Sequence, residues 1–490
     1  MDNSHHTTNK AHYEAVIGIE VHVQLSTATK IFCRCPNQPG ARPNTTICAI
    51  CSGQPGTLPL LNQKVVEYAT MMALATQSQI NDTSEFSRKH YFYPDLPKGF
   101  QITQADIPIA EHGKITIRRG DGSLKTIRIR RIHIEEDAGK SLHAHDNSCS
   151  LVDLNRAGTP LLEIVSEPDL SSPAEVRAYL QELHAIVMSL GISSGNMEEG
   201  AFRADTNISV RLQGSTKLGT RCELKNINSF KFIADATLYE ISRQIAVLEE
   251  GKDVIQQTRL WDTKQKITIP MRSKEEAADY RYMPEPDIPL LKLDQEYIEH
   301  IRARLPELPA QRMGRLMNTY GLSDYEAGII AYDTALAHYF EAVWKLHPSK
   351  TVVHWLLRNV LAILKERGWD IDQCLTPTSP LRPEQLAALT NLIDTGSINA
   401  RTAQEIFDIM LETNQSPPHI MKERNLEQIG STEELEQIIK KIVHDHEQQA
   451  SEYRAGKTKL WGFFIGKAME QTKGRAQPQL LNELLKKYLG

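Results

Sequence analysis

The sequence has little of several features that would assign a class at once. Its 490 residues contain no uninterrupted apolar run near the roughly 18 residues of a membrane span. Residues 1–10 are polar and hold no apolar stretch for a signal peptide. Only seven cysteines are present, and an odd number fits poorly with a closed disulfide framework. The formal net charge of −5 lacks the positive excess typical of nucleic-acid binders. These absences predict a cytoplasmic chain in a reducing compartment, with no membrane contact.

Familiar catalytic motifs are missing as well. Residues 139–141 and 456–458 look like the end of a P-loop, but the first glycine of that motif would fall on Ile134 and Ser451. The sequence has no GxGxxG, HExxH or GxSxG motif, no Gly/Ser-rich amidase signature and no cysteine in a glutaminase-like elbow. Any hydrolysis that releases ammonia would therefore need another polypeptide.

The length and composition predict several globular domains. Hydrophobic residues make up 40% of the chain and charged residues 24%, close to the average for globular proteins. A disordered leader is predicted over residues 1–12. Alternating strand patterns with intervening helices predict one large α+β domain with a mixed sheet over residues 13–293. Its helices are predicted over residues 63–76, 172–190 and 229–250. Helical patterns predict a helical domain over residues 294–375, a Pro-rich linker over residues 376–383 and a small helical tail over residues 384–490.

Four of the seven cysteines are clustered. Cys33, Cys35, Cys48 and Cys51 have the spacing C-x-C-x12-C-x2-C. Two close pairs of thiolates joined by a short loop can form a tetrahedron around Zn²⁺. The loop is rich in Pro, Asn and Gly, so a metal would be its main organiser; four reduced surface thiols are the alternative. With all four ligands from protein, segment 33–51 predicts a structural zinc knuckle without a catalytic position.

Carboxylates and histidines recur in strand-like stretches. Glu20 and His22 lie two residues apart in an alternating strand, so both point to one face, together with Gln24. Further polar groups in comparable settings are Glu135, Glu136, Glu163, Asp205 and Asn207. Hard oxygen ligands with one His or Asn suit Mg²⁺ or Mn²⁺ holding the phosphates of a nucleotide. These residues predict a shared divalent-cation site, with ordinary salt-bridged or solvated carboxylates as the alternative.

Positive charge is concentrated in two places. Residues 88–99 mix cations and aromatic rings on a turn-forming loop, which could contact phosphates and stack on a base, or could be an ordinary surface loop. Residues 451–490 contain eight Lys/Arg and three acids, so this tail is +5 and residues 1–450 are −10. The small basic helices of the tail suit contact with a phosphate backbone, with a solvated helix surface as the alternative.

Several long motifs together resemble one family. They are residues 16–23, 88–95, 133–141, 151–160, 163–169, 223–230, 279–287 and 474–480. In these segments the chain resembles the B subunit of the tRNA-dependent amidotransferases, the GatB/GatE family, and the resemblance covers nearly the whole chain after residue 12. It implies a cradle-shaped kinase domain, a helical domain and a tail similar to the YqeY family. Some members lack the four cysteines, and their presence here favours a metal-bound knuckle.

The resemblance also implies an activity, that of a ligase forming a C–N bond. ATP and Mg²⁺ would phosphorylate the side-chain carboxylate of misacylated Glu-tRNA(Gln) or Asp-tRNA(Asn), and ammonia would then displace the phosphate. The ammonia would come through a tunnel from an amidase subunit (GatA), with a small third subunit (GatC) wrapped around the pair. The tail would bind the tRNA body. A non-catalytic tRNA-binding adaptor and a Mg²⁺-dependent nuclease or phosphohydrolase are the alternatives.

The candidate residues acquire roles from this chemistry. The predicted Mg²⁺ ligands are Glu20, His22, Glu135, Glu136 and Glu163. The predicted catalytic set is Glu20, His22, Glu135, Glu163, Lys89 and Arg203. The predicted nucleotide contacts are Lys89, Lys98, Asp205 and Asn207. Because Mg²⁺ neutralises charge between an anionic acceptor and the γ-phosphate, a carboxylate-rich site with nearby cations fits phosphoryl transfer.

Overall fold

The computed structural model describes residues 12–143, 149–225, 227–273, 280–428, 432–472 and 475–490. The chain divides into two compact units, the first ending at Arg312 and the second running from Met313 to Gly490. Apart from His12, the predicted leader lies outside the described residues. Among the described residues, no helix has both the length and the apolar character that crossing a membrane requires.

The described strands all lie in the first unit. They are β1 Tyr13–Gln24, β2 Gln79–Ile80, β3 Thr83–Ser84, β4 Ser87–His90, β5 Phe100–Thr103, β6 Ala110–Arg118, β7 Leu124–Glu136, β8 Lys140–His143, β9 Ser150–Asp153, β10 Pro160–Ser166, β11 Phe202–Leu212, β12 Cys222–Lys225, β13 Gln257–Asp262, β14 Ile267–Ser273, β15 Met283–Pro284 and β16 Leu291–Lys292. Nine of them form one sheet in the order β14-β13-β12-β11-β1-β10-β7-β6-β2. All neighbouring pairs in it are antiparallel except β12 and β13, so the sheet is mixed, as predicted.

The central strand β1 has one apolar and one polar face. Ile17, Ile19, Val21 and Val23 are buried in the main core, whereas the residues between them are half-buried. Successive strand residues point to opposite faces, so this period of two assigns every second side chain to the core. Burial of each such Val or Ile contributes about 1.5–3 kcal/mol. The apolar pattern therefore fixes the register that leaves the polar residues of β1 on the other face.

Three longer helices accompany the sheet, α1 Gln63–Ala75, α2 Pro173–Leu190 and α3 Phe230–Glu249. Their bounds match the sequence prediction to within one residue at each end. The Ser172 hydroxyl accepts the N–H of Glu175 at the start of α2, and the Ser229 hydroxyl accepts the N–H of Phe232 at the start of α3. Such caps satisfy donors that have no partner within the helix. Buried residues of all three helices belong to the same core as β1.

The remaining helices are α4 Gln295–Arg302, α5 Pro309–Tyr320, α6 Asp324–Ala331, α7 Thr334–Leu346, α8 Lys350–Trp355, α9 Leu361–Arg367, α10 Ile371–Cys374, α11 Pro383–Asp394, α12 Ala400–Thr413, α13 Pro417–Glu423, α14 Thr432–Asp445, α15 Glu447–Arg454, α16 Trp461–Gln471 and α17 Pro478–Leu489. A π-helical turn, Leu356–Val360, joins α8 to α9, and a 3₁₀ turn, Thr458–Leu460, precedes α16.

The second unit contains two hydrophobic cores with boundaries that differ from the sequence prediction. The first core spans Met313 to Met421 and the second spans Leu435 to Leu489. Residues 376–383 were predicted to be a linker, but Leu381 is fully buried in the first core together with helices from both sides. Likewise, α4 contributes Ile298 and Ile301 to the core of the sheet unit rather than to a helical domain beginning at residue 294.

Candidate functional site

The register of three antiparallel strands brings a histidine–glutamate–histidine row together. His22 on β1 lies opposite Glu163 on β10, and Glu163 lies opposite His133 on β7. On the other side of β1, Arg203 on β11 lies opposite His22. Glu135 is two residues beyond His133, and its side chain therefore emerges on the same face. The polar face of the sheet thus gathers residues that are more than a hundred positions apart in the chain.

The contacts within this row are close. His22 Nε2 lies 3.2 Å from Glu163 Oε2 and 3.7 Å from Glu135 Oε1. His133 Nε2 lies 3.3 Å from Glu163 Oε2 and 3.7 Å from Glu135 Oε2. Ligand atoms of His22, Glu135 and Glu163 all lie within 4.8 Å of one another. One imidazole and two carboxylates at this spacing can hold a divalent cation.

The neighbouring carboxylates raise the pKa values of both histidines, His22 and His133. Burial opposes protonation of His133, but the charge of Glu163 and hydrogen bonds to Glu135 and Glu163 raise its pKa to about 9. Burial also opposes protonation of His22, and Glu163 and Glu135 outweigh it, so the pKa of His22 is raised as well. In turn, the two imidazoles overcome burial and hold the pKa of Glu163 well below its usual value. His22 must therefore release a proton before its nitrogen can coordinate a metal.

Glu20 lies on the same face but outside this three-residue group. The side-chain amide of Asn207 donates to Glu20 Oε1 at 3.0 Å. Burial, and then the charges of Glu163, Glu223 and Asp205, raise the pKa of Glu20. Asp205 is itself paired with Lys225, whose Nζ is 2.9 Å from Asp205 Oδ2. Glu20, Asp205 and Asn207, which were predicted as part of one site, form a second polar cluster beside the His22 group.

A cavity of about 490 Å³ opens over His22, Glu135 and Glu163, and its lining does not include Glu20 or Asn207. Its lining includes six carboxylates, Glu135, Asp137, Glu163, Glu198, Glu199 and Asp205, and three Lys/Arg cations, Lys89, Arg203 and Lys225. The volume suits a small ligand or the end of a larger one. Because carboxylates outnumber lysines and arginines two to one, an anionic ligand would need further positive charge, either from His22, whose raised pKa favours the protonated form, or from a bound cation.

The three cations of the cavity differ in their partners. Arg203 Nη2 lies 3.0 Å from Asp137 Oδ2, and Lys225 is paired with Asp205. Within the described part of the chain, no carboxylate oxygen lies within 4.0 Å of Lys89 Nζ, which instead lies over the Tyr280 ring, 4.9 Å from its centroid. Burial opposes the charge on Lys89, but Glu135 and Glu163 raise its pKa, so the ammonium form persists.

Two predicted site residues lie elsewhere. Glu136 follows Glu135 on β7, so its side chain points to the opposite face, where it pairs with Lys98 and accepts the N–H of Ile102 at 3.0 Å. Both Glu136 and Lys98 line a separate cavity of about 360 Å³ next to the cysteine loop. The alternation of a strand is the reason that two adjacent glutamates cannot share one metal site here.

Sequence reasoning missed His133 as a site residue, although a signal was present. His133 and Glu135 are two apart on one strand, the same spacing that singled out Glu20 and His22. Glu223 and Lys225 repeat that spacing on β12, and Lys225 bridges Glu223 and Asp205 at 3.2 and 2.9 Å. His133, Glu223 and Lys225 were overlooked because the pattern within one strand does not show which other strands will pair with it.

The four predicted cysteines form a compact cluster. Their sulfur atoms all lie within 4.8 Å of one another, with Cys51 Sγ 4.0 Å from Cys35 Sγ and 3.9 Å from Cys48 Sγ. Four sulfurs each about 2.3 Å from one Zn²⁺ would be about 3.8 Å apart in a tetrahedron. All four are free thiols. The donor set and its spacing therefore fit a four-coordinate metal without large movement.

One of the four thiols, Cys51, has a lowered pKa. A hydrogen bond with Cys33 is the largest cause that lowers the pKa of Cys51, to about 4, and burial opposes it. The N–H of Cys48, which donates to Cys51 Sγ at 3.1 Å, and the positive charge of Lys30 lower it further. Burial raises the pKa of Cys35 to about 11. The lowered pKa of Cys51 favours metal binding, because the thiolate is the form that coordinates a metal.

Comparison with known proteins identifies close relatives. The GatB/GatE catalytic domain family matches residues 15–299, and the GatB domain family matches residues 338–489. The B subunit of the aspartyl/glutamyl-tRNA(Asn/Gln) amidotransferase of Geotalea daltonii is 50% identical over 483 residues, which cover 97% of this chain and 99% of the relative. Proteins of the same name from Syntrophotalea carbinolica and Carboxydothermus hydrogenoformans are 48% and 46% identical, each over 97% of this chain and over 98% and 99% of their own lengths.

Proposed function

Because this chain belongs to the GatB/GatE family of amidotransferase B subunits, we propose that it converts misacylated Glu-tRNA(Gln), Asp-tRNA(Asn) or both into Gln-tRNA(Gln) and Asn-tRNA(Asn). The observation that supports this most is the group of His22, Glu135 and Glu163 inside a cavity that also holds Lys89, whose ammonium pairs with no described carboxylate. A metal-binding group beside an available cation is what transfer of a phosphoryl group requires.

The substrate carboxylate needs activation because oxide is a very poor leaving group. We propose that one oxygen of the glutamyl or aspartyl side chain attacks the γ-phosphorus of ATP, and that the bond from phosphorus to the bridging oxygen breaks and ADP leaves with the electron pair. Ammonia then attacks the acyl phosphate carbon. Phosphate departs with the former carboxylate oxygen, and loss of a proton gives the amide.

His22, Glu135 and Glu163 would hold Mg²⁺, because their ligand atoms lie within 4.8 Å of one another and His22 can coordinate once it has released its proton. When bound, Mg²⁺ supplies positive charge between the carboxylate and the γ-phosphate. His133 keeps Glu163 oriented through its contact at 3.3 Å. Lys89 is available to meet the transferring phosphoryl group, whereas Arg203 and Lys225 hold Asp137 and Asp205 in place along the wall.

The cysteine cluster would hold a structural Zn²⁺. All four donors come from protein, so the metal has no open position for substrate. The knuckle lies close to β7 and β10, since Ile31 donates to the carbonyl of Gly158 at 2.9 Å and Gly158 donates to that of Asp137 at 3.0 Å. Its role is therefore to fix the loop that supports Asp137, a lining residue of the cavity.

The amidation needs other macromolecules, and we propose three. An amidase subunit supplies ammonia, because no glutaminase motif occurs in this sequence, and a small third subunit completes the complex. Misacylated tRNA is the third, and its body would meet the tail of the chain, where Lys459, Lys486 and Lys487 are exposed. Short basic helices contact phosphates without reading sequence. The reaction would take place in the cytoplasm, where the seven thiols stay reduced.

Formation of ADP that depends on misacylated tRNA tests this function. The chain, assembled with its amidase and third subunit, is incubated with ATP, Mg²⁺, glutamine and each misacylated tRNA. We expect one ADP for each Gln-tRNA or Asn-tRNA formed. When the tRNA carries its correct amino acid, we expect neither ADP nor amidated tRNA. Correctly charged tRNA is the matched control.

Two results would contradict the proposal. A complex that binds misacylated tRNA but forms no ADP would support the non-catalytic adaptor. Shortened tRNA fragments after incubation with Mg²⁺ would support a nuclease that uses the same carboxylates.

A further inference from the structure

Lys30 is a buried lysine whose ammonium group is paired with no described carboxylate. Its side chain is completely excluded from solvent, with an exposed fraction of 0%. Its Nζ donates to the carbonyl of Leu154 at 3.3 Å. Among the described residues, no carboxylate oxygen lies within 4.0 Å of this nitrogen. A single neutral acceptor compensates an ammonium group poorly, because burial of an unpaired charge is costly.

The surroundings of Lys30 lead to the cysteine cluster. Its backbone N–H donates to the carbonyl of Cys35 at 3.0 Å, so the lysine is held against the first cysteine pair. A Cβ at Gly158 would lie 3.6 Å from Lys30 Cδ, 3.7 Å from Cys51 Cβ and 3.9 Å from Glu136 Oε2, and this Glu136 carboxylate is already paired with Lys98. The lysine stem and Cys51 of the second cysteine pair therefore both lie next to Gly158.

The net charge of a metal-bound cysteine cluster gives the buried ammonium of Lys30 a function. Without a metal, the cluster has less negative charge for a buried ammonium to offset. Four thiolates that share one divalent cation keep two negative charges, and burial makes such charges expensive unless cations are nearby. Cys33 and Cys51 are both buried, so water cannot screen the charge on that side of the cluster.

We propose that Lys30 is the built-in counter-cation of the cysteine metal site and sets how tightly the site binds Zn²⁺. This inference rests on the zinc site proposed above. In the metal-bound protein the ammonium offsets one of the two remaining charges, and in the metal-free protein it has less negative charge to offset. Lys30 is thus a positioning and charge-compensating residue that does not itself contact the metal.

The test compares the zinc affinity of full-length variants by competition with a chromogenic chelator. Lys30→Met keeps the apolar stem and removes the charge, while Lys30→Gln also keeps a donor for the Leu154 carbonyl. We expect both to bind Zn²⁺ about 10- to 100-fold more weakly than wild type, the range found for residues that support metal ligands. Lys64→Met is the matched control, because Lys64 is half-exposed and paired with Glu67. Its affinity should equal that of wild type.

A second measurement separates charge compensation from packing. Thermal unfolding is recorded for each variant with zinc and after chelation. Charge compensation predicts that Lys30→Met lowers Tm more in the zinc-loaded protein than in the metal-free protein, whereas a packing role would lower both equally. Equal zinc affinity in wild type and both Lys30 variants, or equal losses of Tm in the two states, would overturn the proposal for Lys30 alone. Failure of wild type to bind zinc would overturn the zinc site and this inference with it.

Discussion

Replacing Glu163 with glutamine is expected to lower the rate of ADP formation that depends on misacylated tRNA by about 10³-fold. The substitution keeps the size of the side chain and removes one negative charge from the centre of the His22–Glu163–His133 row. Glu163 contacts both histidines within about 3.3 Å, so both the metal-ligand set and the orientation of the imidazoles depend on it. The measurement is single-turnover conversion of ATP to ADP by the assembled complex.

Two controls make this loss interpretable. Glutamine hydrolysis by the amidase subunit should continue, because the substitution changes only one half-buried side chain in the lining of the cavity. Glu167→Gln, just beyond the end of β10 and away from the cavity lining, should retain the wild-type rate of ADP formation. If Glu163→Gln forms ADP as fast as wild type, the assignment of this row to the reaction is wrong.

Replacing Cys48 and Cys51 together with serine is expected to abolish stoichiometric zinc binding, with affinity reduced by at least about 10³-fold. The double variant loses two of the four ligands, and two thiolates together with water bind Zn²⁺ more weakly than four thiolates. Segment 33–62, which is described throughout, contains no helix or strand, and its one isolated bridge joins Pro36 to Thr29. Because this segment has no regular secondary structure and is otherwise held mainly by individual hydrogen bonds such as those of Asn44 and Asn155, we also expect faster proteolysis within it.

Zinc content is measured by elemental analysis of the purified full-length chain, and cleavage sites are mapped by mass spectrometry. Cys149→Ser is the matched control, because Cys149 is exposed and lies outside the cluster. It should leave one zinc per chain. Retention of one zinc by the Cys48→Ser, Cys51→Ser variant would contradict the assignment of the ligands.

Much of the sheet unit follows from the sequence alone. The period of two in β1 predicted which side chains share a face, and the helices predicted over residues 172–190 and 229–250 begin as expected, at the caps Ser172 and Ser229. Local patterns carry this information because they reflect the backbone geometry of single elements. The close C-x-C and C-x2-C spacings likewise predicted that four sulfurs would meet.

Other parts of the site depend on which elements become neighbours. His133 lies in the site only because β7 pairs with β10. Glu136 lies outside its predicted site because adjacent residues of a strand point to opposite faces. The segment 376–383 has the composition of a linker, yet one leucine, Leu381, reaches a core that composition does not reveal. Lys30 is similar, since nothing in its sequence context distinguishes a buried ammonium from a surface one.

The fate of the substrate oxygen tests the central claim most directly. Misacylated tRNA carrying glutamate or aspartate with ¹⁸O in both side-chain carboxylate oxygens is converted by the assembled complex with unlabelled ATP, and the inorganic phosphate is examined by mass spectrometry. Attack of the carboxylate on the γ-phosphorus predicts one ¹⁸O in each phosphate released and one in each amide formed. Unlabelled phosphate alongside labelled amide product would contradict activation of the carboxylate by phosphorylation, and with it the function assigned to the cavity over His22, Glu135 and Glu163.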